Sequence, residues 1–186
     1  MILPFSLLPP FLLTGVFIAQ SDISQVKDWS MATMASSFMG FAICRLLFSF
    51  AVGPLVDRFT AKRLLPLTLV PHMLGFYVMT LFDQTWAPLL IFLLFGIGVG
   101  AGMNIKSALW PEVYGTQHLG KIRSLIAPLA VLSTAIGPWA FGWYFSHYDE
   151  LETLAYFSIG LMIADPLLVV IAPSPISDGA RKEGAS

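Results

Sequence analysis

The chain has 186 residues, of which 56% are hydrophobic and 11% charged, with a mean hydropathy of +0.77 and a formal net charge of −1. A water-soluble domain carries about 25% charged residues, so this composition lies far outside the soluble class and makes lipid the expected solvent. The net charge assigns no partner, and the basic residues fall between apolar runs as topology signals rather than in a nucleic-acid patch.

Runs of about 20 apolar residues each predict one membrane helix. Six qualify, at about 2–20, 29–56, 64–82, 86–110, 122–147 and 153–172, so the fold class is all-α and polytopic with six transmembrane helices in one domain, 1–172. The first run contains Pro4, Pro9 and Pro10 but no basic leader and no clear cleavage site, so it reads as a helix rather than a signal peptide. A chain that starts inside hydrocarbon is expected to be a truncated piece.

The second run holds Arg45. At about 1.5 Å per residue it lies about 24 Å from Trp29 and about 18 Å from Asp57, near mid-membrane. A cation there costs at least ~2.5 kcal/mol and ordinarily faces a protein interior or watery cavity on a ligand path. Its neighbour Cys44 reads as inert packing, since one cysteine makes no internal disulfide. The turn that follows carries Gly53, where two helices can approach closely, Asp57, which can accept from a helix N-terminus, and the basic Arg58, Lys62 and Arg63.

His72 in the third run reads as a packing histidine. The fourth run carries Gly96, Gly98, Gly100 and Gly102, two overlapping small-xxx-small pairs suited to close helix contact, with the polar Asn104 just beyond. A nucleotide loop is excluded there because it needs a preceding strand. Glu112 and His118 follow in a loop, where solvation is the expected role. Gly137–Pro138 in the fifth run predicts a kink and helix packing. Asp165, followed by Pro166 in the sixth, has a depth similar to that of Arg45 and is a candidate intramembrane partner for it. Residues 173–186 form a small polar tail, expected to be cytoplasmic and disordered.

Lysine and arginine set the orientation. With the first helix running outward, Arg58, Lys62, Arg63, Lys106, Lys121, Arg123, Arg181 and Lys182 are internal and Lys27 stands alone outside. Both termini are then cytoplasmic, and the expected location is a bacterial inner or plasma membrane. Trp29, Trp86, Trp143 and Tyr144 mark the outer boundary and Trp110 the inner one. The three histidines, His72, His118 and His147, lie at different depths, so no metal site is expected, nor any cofactor or enzymatic centre.

The segment GPLVDRFTAKR, Gly53 to Arg63, resembles the G-x-L-x-D-R-x-x-x-[RK]-[RK] signature of the major facilitator superfamily. ALWPEVYGTQHLGKIRSL, Ala108 to Leu125, resembles the loop between the tenth and eleventh helices of bacterial facilitators related to monocarboxylate and organic-anion carriers. TGVFIAQ, Thr14 to Gln20, with KDWS at Lys27 to Ser30, resembles their seventh helix and following loop, with Ala19 in place of a histidine. The resemblance implies the C-terminal half of a twelve-helix fold, built from two inverted three-helix repeats, with a complementary six-helix N-terminal half that is fused, separate or missing. It implies secondary active transport of a small solute by alternating access, an organic anion such as a monocarboxylate in the first instance, with protons as a candidate co-substrate.

Relatives that carry carboxylates use a basic residue in the eighth helix, a role that falls to Arg45 by helix rather than by aligned position. Gln20 and Asn104 join it as candidate substrate contacts. Asp57, with Gly53, Arg58, Lys62 and Arg63, would gate the cytoplasmic side. Gly137–Pro138 resembles an element of facilitator antiporters, which supports drug or metabolite efflux as an alternative. A non-transporting membrane subunit or truncated fragment is the alternative of another class.

Overall fold

The computed structural model describes residues 3–115, 119–148 and 150–171. The expected tail, His118 and Asp149 lie outside the described residues. Everything described is helix or short turn. The helices are α1 (Leu3–Ile18), α2 (Gln20–Val26), α3 (Met31–Ala51), α4 (Gly53–Arg58), α5 (Ala61–Leu64), α6 (Leu69–Leu81), α7 (Ala87–Tyr114), α8 (Leu119–Phe145) and α9 (Leu151–Ile171).

Among the described residues, Met31–Arg58, Ala61–Leu81, Ala87–Val113 and Leu119–Phe145 are long and apolar enough to cross a membrane. The pair α1–α2, bent by 64°, makes one further broken span. α9 has 21 residues, about 31 Å at the helical rise, and so the length for another crossing.

Local chemistry explains the breaks. Pro54 has no N–H to donate and crowds the carbonyl of Phe50, so the helix restarts as α4 after Val52. Pro66 likewise interposes a 3-10 turn, Pro66–Thr68, between α5 and α6. α3 begins where the Ser30 hydroxyl accepts from the Thr33 backbone N–H at 3.1 Å. α7 runs through Pro111 to Tyr114 and stops at Gly115, whose φ of 70° suits glycine and whose N–H bonds the Pro111 carbonyl at 3.0 Å. The first part of the motif beginning at Ala108 is therefore helix, not loop.

Packing follows a rule. Taking α1–α2, α3–α4, α5–α6, α7, α8 and α9 as six successive units, the second packs on the fourth and the first on the fifth. The third meets the fourth and sixth, and the first meets the sixth. Exchanging the first three units with the last three maps this set onto itself. Three is odd and successive spans reverse direction, so the exchange turns the bundle over. That is an inverted three-unit repeat.

Glycines set how closely these pairs approach. A Cβ on Gly96 or Gly100 would collide with the backbone carbonyls of Phe41 and Arg45 on α3, whereas one on Gly98 would strike the His72 ring on α6. The alternation sends one small-residue stripe to each neighbour of α7. Gly137 on α8 rests against the Phe11 carbonyl of α1 in the same way. Gly53 differs from expectation: a Cβ there would meet nothing within 4 Å, so this chain makes no close helix contact at that point.

Candidate functional site

Arg45 lies on the exposed face of α3, among Ile43, Leu46 and Leu47, which are also exposed. Its Nη2 donates to the Met103 Sδ of α7 at 3.4 Å. A thioether is a weak acceptor and carries no charge, so the guanidinium stays uncompensated among the described residues. The expected pairing with Asp165 is not formed, because α3 and α9 lie apart in the bundle and, among the described residues, no carboxylate comes within 4 Å of Arg45. Among the described residues the ion pair is Lys27 with Asp83, at 2.5 Å.

Next to Met103, Asn104 turns its Nδ2 to the backbone carbonyl of Ser49 and also to the Ser49 Oγ, at 3.2 Å. Arg45 and Ser49 stand four residues apart on α3, and Met103 and Asn104 are consecutive on α7. These side chains make a polar strip along the α3–α7 seam that Gly96 and Gly100 hold closed. Ser49 is a member that sequence inspection passed over, because a serine in an apolar run usually bonds its own helix. Gln20 stands elsewhere, half-buried at the elbow between α1 and α2.

The groups of the first motif, Asp57, Arg58, Lys62 and Arg63, are all exposed at one end of the bundle, with the Arg58 guanidinium 5.8 Å from the Phe59 ring centre. Asp57 was the expected acceptor for a helix N-terminus. Glu112 does that work instead, its Oε2 accepting from the Ala61 backbone N–H at 2.8 Å.

A second polar group lies deeper. His72 is 2% exposed, and its Nδ1 is 2.8 Å from the Thr68 carbonyl. A carbonyl only accepts, so Nδ1 carries the proton, leaving Nε2 as a buried lone pair without a partner. Phe95 stacks on the ring at 6.1 Å. Lys106, half-buried on α7, interacts electrostatically with both His72 and Asp165. Its position in the sequence suggested a helix-end charge, but the extension of α7 to Tyr114 puts it about 12 Å from the helix terminus.

Two cavities, of about 560 and 510 Å³, lie between α1, α8 and α9. Arg45, Gln20 and Asn104 line neither. At the opposite end from the first motif, Lys27 is 8% exposed at its side chain and holds Asp83, whose carbonyl accepts from Trp29 Nε1 at 2.8 Å. That clasp joins the turn after α2 to the turn before α7.

A family model described as "Major Facilitator Superfamily" matches residues 5–185. The "Uncharacterized MFS-type transporter YfkF" of Bacillus subtilis (strain 168) is 27% identical over 149 residues, covering 80% of this chain and 37% of that protein. The chain thus spans well under half the length of the relative it matches.

Proposed function

The chain belongs to the major facilitator superfamily, and from that premise we propose that it forms one half of a secondary transporter that moves a small organic anion by alternating access. The family supports transport of a small solute rather than catalysis. Arg45 supports the sign of the charge.

The single observation that carries this reading is the contact of the Arg45 guanidinium with a thioether instead of a carboxylate, on an exposed face at mid-span. Facing lipid, that group would cost at least ~2.5 kcal/mol. Facing an aqueous vestibule between two halves, it is an anion site. The polar strip formed by Asn104 and Ser49 beside it supplies neutral hydrogen-bonding groups on the same wall. The vestibule's other wall belongs to a complementary six-helix half, which also covers the exposed Asp57–Arg63 turn and gates it. The end carrying Arg58, Lys62 and Arg63 faces the cytoplasm by the positive-inside rule.

Counterflow in proteoliposomes containing the full-length protein tests the proposal, comparing anionic, neutral and cationic solutes. Anions of monocarboxylate size are expected to exchange, and Arg45→Ala to reduce that exchange at least tenfold. Normal exchange by Arg45→Ala, or a preference for cations, would rule the reading out.

A further inference from the structure

The anion site leaves Asp165 unused. This residue of α9 is 2% exposed, and among the described residues neither carboxylate oxygen has a hydrogen-bond partner. It borders the larger groove, of about 560 Å³, whose walls include Leu7, Leu132, Ile136 and Leu161. Ser133 also borders the groove but donates its hydroxyl proton to the Leu7 carbonyl at 2.6 Å. Nothing apolar there can stabilise a bare carboxylate.

The surrounding elements limit what can compensate it. α1 carries no ionisable side chain, and α8 carries none between Arg123 and Tyr144. α6 contributes His72, bonded to Thr68, and the exposed Tyr77. On α9 itself, Glu152 and the exposed Tyr156 lie at least two turns away. Among the described residues, Lys106 of α7 is the charge whose field reaches Asp165, without direct contact at ion-pair distance. An ionised carboxylate away from water with no hydrogen bonds is strongly disfavoured unless a charge offsets it. Asp165 therefore has two accessible forms, ionised under the field of Lys106 or neutral with a proton on one oxygen.

We propose that Asp165 is a proton-binding site of this half, separate from the Arg45 wall. The proton adds to one carboxylate oxygen and returns to water through the groove, so no other reactant is required. Lys106 lies two residues beyond Asn104 on α7, the helix that carries the polar strip. The use of this site as a coupling device rests on the transporter reading. The binding of the proton does not.

Infrared difference spectroscopy of the full-length protein in liposomes, stepped in pH, reads the proton directly. A protonated-carboxyl stretching band that appears and disappears reversibly is expected. Asp165→Asn should remove it, Asp165→Glu should retain it at a shifted frequency, Lys106→Gln should enlarge it at a given pH, and Arg45→Ala should leave it in place. No such band in the wild type, an unchanged band in Asp165→Asn, or indifference to Lys106→Gln would overturn the proposal. A surviving band with Arg45-independent exchange would defeat the anion site alone. A missing band with Arg45-dependent exchange would defeat the proton site alone.

Discussion

Glu112 ties the end of α7 to the start of α5, accepting the Ala61 N–H at 2.8 Å. The bond satisfies one of the donors that a helix N-terminus leaves open. It also makes the two motif-bearing turns into one piece. Removing a capping acceptor costs about 0.5–2 kcal/mol. Glu112→Ala is expected to lower the melting temperature in detergent by that equivalent. Glu112→Gln, which keeps a carbonyl acceptor, should recover most of it.

Gly100 and Gly102 separate close packing from mere smallness. A side chain at Gly100 meets the Arg45 backbone, which cannot rotate away, while a Cβ at Gly102 reaches only ordinary contact with Thr68 Cβ at 3.9 Å. Gly100→Val is therefore expected to lose about 1–3 kcal/mol or prevent folding. Gly102→Ala should be neutral or gain up to ~1 kcal/mol from helix propensity. Thermal unfolding of the two variants checks the difference.

How much of this was legible beforehand depends on the kind of signal. Hydropathy shows where apolar helices run, because lipid demands a continuous apolar surface. The glycine spacing between 96 and 102 signals close approach, but only the packed bundle distributes it between α3 and α6. The position of Lys106 was hidden because Trp110–Pro111 looks like a helix end, whereas α7 continues through Pro111 to Tyr114. The same extension aims Glu112 at Ala61 and displaces the role expected of Asp57. Equal depth suggested that Arg45 and Asp165 could meet. Depth says nothing about azimuth, and the bundle places their helices apart.

Asn104 and Ser49 give a graded test of the polar strip. The amide reaches both the carbonyl and the hydroxyl of Ser49. Hydrogen bonds between membrane helices average about 0.6 kcal/mol and reach about 1.7. Ser49→Ala keeps the backbone acceptor and should cost no more than ~0.6 kcal/mol, whereas Asn104→Ala loses both bonds and should approach the upper figure. Unfolding in mixed micelles measures both.

Lys27 and Asp83 form a pair with one partner largely in water, Asp83 being 74% exposed at its side chain. Such pairs contribute about 0–1 kcal/mol. Asp83→Ala should stay within that range, because Trp29 bonds the backbone carbonyl and not the carboxylate. Trp29→Phe should cost more. Comparing melting temperatures at low and high salt isolates the ionic part.

The anion site requires that Arg45 border water. Cys44, the chain's lone cysteine, can be changed to alanine so that Arg45→Cys carries the single thiol. In the membrane-embedded protein, a membrane-impermeant maleimide is predicted to label that thiol from the aqueous phase. Labelling only by a lipid-soluble maleimide would show that position 45 faces lipid and would contradict an aqueous setting for Arg45.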